Sequence, residues 1–448
     1  MPPLPAFAFF RLQEYTAFIS SRYKEDIMQD FHAKTAERLM RYARIDTQSD
    51  RFSQTVPTTA KQFDLAHELE RELNSIGASD VYLDSSTCVL YAFLPSTLPG
   101  QTGLPFGLVT HMDTAPDACG SHVNPRLIHY EGGDIELSPG ICMRETEFPS
   151  LRQYTGQDLV VTDGTTLLGG DDKAGIASVI TFAEYLLRHP EIGHPKIALA
   201  FTPDEEVSGL ARDLDLKRFG VPVAYTLDGD HLGYWENETF NASEAFLDID
   251  GVSVHPGTAK GIMINACDVA AEFLHALPAR EKPQYTEDRE GFFHVVGFQG
   301  TCEHASVHLI IRDHDAELFA RREALVRSLA SDLQKTYGEQ RIHLNIVQNY
   351  RSMKEIIDRV PFMIDDLKAA ISACGIEPRS IAFRGGTDGS ALSHRGLPCP
   401  NLSAGYENAH GRFEYVPVPS MAANVCILLE LASRFALRSE KDLCEPDC

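Results

Sequence analysis

Five short motifs supply imidazole and carboxylate side chains of the kind that hold metal ions or move protons. His111 and Asp113 stand in T-H-M-D-T, at the end of an apolar run that reads as a buried strand. Alternate residues of a strand share a face, so the two side chains point the same way. A His beside a carboxylate is either a metal ligand or an oriented base. Asp171 and Asp172 follow two glycines in L-L-G-G-D-D-K-A-G-I, just ahead of a helix. Carboxylates there either cap the helix and favour its dipole or bridge two metal ions. Glu205 and Glu206 follow Thr202-Pro203-Asp204 at the tip of another apolar strand. Three consecutive acids read as a solvated turn, or as a crowd that cations relieve. Hydrolysis by metal-activated water needs one carboxylate that ligates and another that accepts the water's proton, and adjacent Glu residues can divide that labour. Asp228, in T-L-D-G-D, ends a third strand, and His410 lies in a late glycine-flanked loop, E-N-A-H-G-R. Nitrogen and oxygen donors without thiolate suit Zn2+, and also Mn2+ or Co2+.

The elements that carry these motifs alternate strand and helix. L-P-F-G-L-V-T-H-M-D-T, K-I-A-L-A-F-T-P-D-E-E and V-P-V-A-Y-T-L-D-G-D share one plan, an apolar strand with a polar end, and the helix A-S-V-I-T-F-A-E-Y-L-L-R-H separates the first two. This alternation predicts an α/β domain whose chemistry gathers beyond the strand ends. Upstream, F-H-A-K-T-A-E-R-L-M-R-Y-A-R-I and T-A-K-Q-F-D-L-A-H-E-L-E-R-E-L-N-S-I-G read as amphipathic helices, the second stopped by Gly77. Near Phe240 the text changes to a β-α-β-β-α-β order, which predicts an inserted α+β (ferredoxin-like) domain over 240–350. The metal-binding domain is then discontinuous, 29–239 and 351–448, and residues 1–28 form an extension or an extra helix.

The formal net charge of -24 excludes nucleic acid as a natural partner, since no basic stripe offsets it. No run approaches the about 20 apolar residues that span a bilayer, so no membrane partner is expected. The 10 cysteines form no C-x-x-C pair, and the N-terminal residues lack the basic start and cleavage site of a secretory signal. These features predict a cytoplasmic protein with free thiols.

Taken in order and spacing, H-x-D, G-G-D-D-K-A-G, P-D-E-E, L-D-G and A-H-G resemble the co-catalytic zinc exopeptidases and deacylases. Longer stretches are similar to the peptidase T family of tripeptide aminopeptidases: Y-E-G-G-D-I-E-L ending at Leu137, T-D-G-T-T-L-L-G-G-D-D-K-A-G-I over 162–176, A-F-T-P-D-E-E-V ending at Val207, V-H-P-G-T-A-K-G from Val254, and R-G-G-T-D-G-S from Arg384. The resemblance runs from about Arg38 to about Leu437. It implies a mixed-sheet zinc-exopeptidase catalytic domain with an inserted lid that binds substrate, two Zn2+ per subunit, and short peptides as substrates. By it, His111 and Asp228 hold one metal, Glu206 and His410 the other, and Asp171 bridges them. Asp113 orients His111, and Glu205 is the general base. His255 is a donor to the oxyanion, while Arg312 and Arg384, assisted by Asn265, grip the peptide's carboxyl end. The resemblance leaves room for a homodimer. A dipeptidase, carboxypeptidase or N-acyl-amino-acid deacylase of the same superfamily is the alternative, and an inactive peptide-binding homologue the non-enzymatic one. Where the family pattern has a bulky aromatic before the late His, this sequence has Ala409, and it reads G-G-D-D where the pattern has G-A-D-D.

Overall fold

A computed structural model describes residues 26–443 except 208 and 210. Most of the expected N-terminal extension, 1–25, lies outside the described residues. Residues 26–28, expected to belong to it, instead open the helix Asp26–Ala43, whose buried face is Phe31, Leu39, Tyr42 and Ala43.

The chain divides into two compact units. Among the described residues the first comprises 26–237, 355–381 and 387–443, and the second 238–354 and 382–386. The first unit is built on a mixed sheet of eight strands. Its middle is Ile197–Thr202, Phe106–His111 and Ala224–Gly229, paired in parallel. Leu90–Leu94 and Asn401–Ser403 flank these three strands. The three central strands are almost wholly buried, as their unbroken apolar text requires in a sheet covered on both faces. Gly170–Arg188, Asp26–Ala43 and Val418–Phe435 pack on one another within this unit. Val418–Phe435 is long and apolar enough to cross a membrane by composition, yet 78% of it is buried against the rest of the unit, which makes it a core helix.

The helix Gln62–Ile76 ends at Gly77, whose φ of 92° gives the left-handed cap that its sequence signals. The apolar text beginning at Ala177 continues a helix that starts seven residues earlier, at Gly170. Asp171 and Asp172 depart from helical dihedrals there, so the regular helix begins at Lys173.

The second unit has the order strand Asn241–Asp250, helix Ala266–Ala276, strands Phe292–Gly300 and His304–Asp313, helix Ala316–Tyr337 and strand Ile342–Tyr350. Its antiparallel sheet pairs Asn241–Asp250 between His304–Asp313 and Ile342–Tyr350, with Phe292–Gly300 at the edge. This is the ferredoxin-like arrangement. Burial alternates residue by residue along His304–Asp313, so one face carries a core of Leu247, Ile249, Phe273, Val307, Leu309, Phe319 and Val326. Each such side chain contributes roughly 1.5–3 kcal/mol on burial.

Candidate metal centre

Three neighbouring parallel strands end on the same side of the sheet, and each delivers part of the centre. His111 is the last residue of Phe106–His111 and lies opposite Thr202 in register. Thr202 closes the next strand, and the chain then turns through Asp204 (φ 63°) into the short helical turn Glu205–Val207. Asp228 sits near the end of Ala224–Gly229. The helix carrying Asp171 approaches closely because Gly175 has no Cβ: one placed there would lie 2.4 Å from the Leu227 carbonyl oxygen and 2.2 Å from Asp172 Oδ1. That explains the glycine in D-D-K-A-G. Asp172 accepts the backbone N–H groups of His111 at 3.3 Å and Gly175 at 3.2 Å, tying the strand end to the helix start.

The five residues expected as metal ligands converge. His111 Nε2 lies 3.0 Å from Asp171 Oδ1 and 3.2 Å from Asp228 Oδ1. His410 Nε2 lies 3.3 Å from Asp171 Oδ2 and 3.0 Å from Glu206 Oε2. The Asp171 carboxylate therefore stands between the two imidazoles, one oxygen toward each. Ligand-type atoms of His111, Glu205 and Asp228 fall within 4.8 Å of one another, as do those of His111, Asp171 and Glu206. His410 adopts φ 63°, a left-handed conformation rare for a non-glycine residue and typical of functional loops. Tyr406, buried on the same segment, donates its hydroxyl to the Asp228 carbonyl at 3.0 Å.

Asp113 plays two parts. Its backbone carbonyl accepts from His111 Nδ1 at 3.1 Å, with its carboxylate 3.4 Å from the same nitrogen. The carboxylate also accepts the N–H groups of Glu205 at 2.9 Å and Glu206 at 3.2 Å. Asp204 in turn accepts from the Thr58 N–H at 2.9 Å and from Gln62 Nε2 at 2.7 Å. The acidic triplet is thus pinned on both sides, unlike a solvated turn.

Electrostatics show that the donor set fits cations. Burial, with Asp171 beside it, pushes the Glu206 carboxyl up to about 7. Burial also raises Asp228 to about 7, against the pull of His111. Glu205, buried and near Asp228, is pushed well above the ordinary carboxylate range. Burial works against charge on His111, yet Asp228, Asp113 and Asp171 hold its pKa well above the usual value. Hydrogen bonds to Asp171 and Glu206 raise His410 to about 11. Glu206 Oε1 is buried with no hydrogen-bond partner. Crowded buried carboxylates, an orphaned oxygen and two imidazoles facing a shared aspartate are satisfied together by divalent cations, and the donors are those that zinc accepts.

The four residues expected to bind substrate lie in the second unit and have partners there. Arg384 donates to the carbonyls of Asp288 at 2.7 Å and Glu290 at 3.0 Å and to the Thr286 hydroxyl at 3.0 Å. Arg312 donates to the Ser243 and Ile311 carbonyls. Asn265 caps the helix Ala266–Ala276 by accepting from the Cys267 N–H. His255 is exposed and accepts from the Gly257 N–H.

Sequence reasoning missed two buried acids. Asp388, in R-G-G-T-D-G-S, accepts from the Thr202 hydroxyl at 2.7 Å, and burial raises it to about 6. Glu414 accepts three backbone N–H groups of the loop that carries Asp171. The only signal for either was an acid inside a motif quoted for other reasons or two residues after one.

Comparison with known proteins places this architecture. The fold is shared with the aminopeptidase PepT of Bacillus cereus ATCC 10987, 22% identical with a TM-score of 0.72, over 90% of this chain and 99% of that one. It is also shared with the Bacillus subtilis YXEP protein, described as a dinuclear metal binding peptidase of the M20 family, 13% identical with a TM-score of 0.64, over 91% of this chain and 98% of that one. The peptidase dimerisation domain family matches residues 237–341. The fold is thus that of these peptidases. Peptidase T of Geobacillus kaustophilus (strain HTA426) is 47% identical over 405 residues, covering 89% of this chain and 97% of that protein. The chain belongs to the peptidase T family and is a peptide hydrolase.

Proposed function

We propose that this enzyme removes the N-terminal residue of tripeptides with two divalent metal ions, zinc foremost and Mn2+ or Co2+ as substitutes. The observation that carries the reading is the Asp171 carboxylate set between His111 and His410 at 3.0 and 3.3 Å. His111 and Asp228 hold one cation, Glu206 and His410 the other, with Asp171 common to both. When bound, the pair supplies Lewis-acid polarisation of the scissile carbonyl and activation of water.

The chain's own groups do the rest. Glu205 takes a proton on its carboxylate from the attacking water and returns it to the leaving amine. Its buried setting raises its affinity for that proton. Asp113 keeps Glu205 and Glu206 aimed by gripping their backbone N–H groups. His255 donates to the developing oxyanion. Arg384 and Arg312, assisted by Asn265, bind the peptide's carboxyl end, which restricts substrate length.

Eight cysteines among the described residues are free, which suits a reducing cytosol, and we place the enzyme there. The dimerisation domain supports a homodimer, readable by light scattering.

The test is a panel of tripeptides, dipeptides and C-terminally amidated tripeptides, with the released amino acid identified. Release of the first residue from free tripeptides supports the reading, and release from the carboxyl end alone overturns it. Equal rates on amidated and free tripeptides would remove the arginines from recognition. Glu205→Gln should keep its metal and lose turnover by about 10²–10⁴-fold, and full activity in that variant would refute the base assignment.

A further inference from the structure

Glu414 lies on the segment that carries His410, and its carboxylate reaches the loop that carries Asp171. Oε2 accepts the N–H groups of Leu168 at 2.8 Å and Gly169 at 2.7 Å, and Oε1 accepts that of Asp171 at 3.0 Å. Glu414 is 1% exposed. The base of the His410 loop is closed by reciprocal backbone bonds between Glu407 and Tyr415, at 2.9 and 3.1 Å. Gly170 is where the Asp171 loop rests on this segment: a Cβ there would lie 2.5 Å from Val416 Cγ2 and 3.1 Å from Glu414 Oε1. One carboxylate therefore ties two loops that are remote in sequence, and each loop carries a side chain facing the other across 3.3 Å.

We propose that Glu414 is a positioning residue that holds Asp171 between His111 and His410, so that divalent-cation affinity depends on a side chain outside the ligand set. The proposal rests on the two-metal reading above. Three backbone donors converge on this carboxylate, and no neutral side chain of the same shape can satisfy them. A glutamine has one acceptor oxygen, and its amide NH2 would face at least one backbone N–H. The Asp171 backbone would then shift, and with it the carboxylate that both imidazoles face. Supports of this kind commonly change metal affinity 10–100-fold.

The experiment uses the full chain stripped of metal and titrated with Zn2+ against a chromophoric chelator, with melting followed before and after loading. Wild type should take up two equivalents. Fewer than two would sink the two-metal reading itself, separately from the role of Glu414. Glu414→Gln should bind Zn2+ 10–100-fold more weakly and gain a smaller rise in Tm on loading. Wild-type affinity in Glu414→Gln, with or without a lower metal-free Tm, would overturn the proposal, because a merely structural role moves stability alone. Should Glu414→Gln not fold, Glu414→Asp keeps the charge but falls one methylene short, and the same two outcomes decide.

Discussion

Replacing Gly175 by alanine should damage the metal centre without touching any of its ligands. An added Cβ would meet the Leu227 carbonyl oxygen at 2.4 Å and Asp172 Oδ1 at 2.2 Å, where ordinary contact begins at 3.4 Å. Neither atom is the free end of a flexible side chain. Leu227 belongs to the strand that carries Asp228, and Asp172 is bonded to the His111 and Gly175 backbones. Relief requires the helix and strand to separate by about 1 Å, the difference between 3.4 and 2.4 Å. Overpacking of this kind costs about 1–3 kcal/mol of stability. A displacement near 1 Å between Asp171 and Asp228 lowers turnover on the order of 10²-fold. The assay pairs urea unfolding with kcat/KM on a tripeptide, beside Gly297→Ala, whose Cβ would find only His308 Cβ at 3.9 Å. That control should stay within about 0.5 kcal/mol of wild type. If Gly175→Ala matched the control in both stability and turnover, the close approach would not be what aligns the centre.

Two further predictions concern stability. His314 is buried against Phe240 with its Nε2 unpartnered, and burial, helped by Arg289 and Arg384, lowers its pKa to about 4. The folded chain keeps this imidazole neutral, while the unfolded chain protonates it below its ordinary 6.5. The His314 contribution to stability should therefore fall as pH drops from 6.5 toward 4, by about 3 kcal/mol at 1.36 kcal/mol per pKa unit. Denaturant melts of wild type and His314→Gln should differ by that slope across this pH range, and parallel slopes would refute it. Arg38 is buried between Glu72 at 2.8 Å and Glu184 at 2.6 Å and also donates to the Thr181 hydroxyl. Arg38→Ala removes the cation the two acids share, while Glu72 keeps Arg41 and Glu184 keeps Arg188 and Lys34, and the lost charge-assisted hydrogen bonds should cost about 1.5–3 kcal/mol in unfolding free energy. A loss under 1 kcal/mol would show that solvent reaches the pair.

The positions of His111, Glu206 and Asp228 were legible because each lies at or just beyond the end of an apolar strand, and parallel strands put such ends on one side of a sheet. His410 was legible only through its glycine-flanked motif, since nothing local to it points toward Asp171. Glu414 was not legible: its partners lie 243 to 246 residues upstream, and they are backbone N–H groups that no residue type announces. Arginine partners were hidden for the same reason. Arg384 binds carbonyls near Asp288, and any sequence would supply those. The start of the long helix at Gly170 escaped because glycine and paired aspartates read as a loop, and the dihedrals of Asp171 and Asp172 bear that local reading out even though the helix includes them.

Anomalous scattering from crystals loaded with Zn2+ tests the central claim most directly. Two peaks per chain are expected, one bordered by His111, Asp171 and Asp228 and the other by Asp171, Glu206 and His410. A single peak, or peaks away from Asp171, would contradict it.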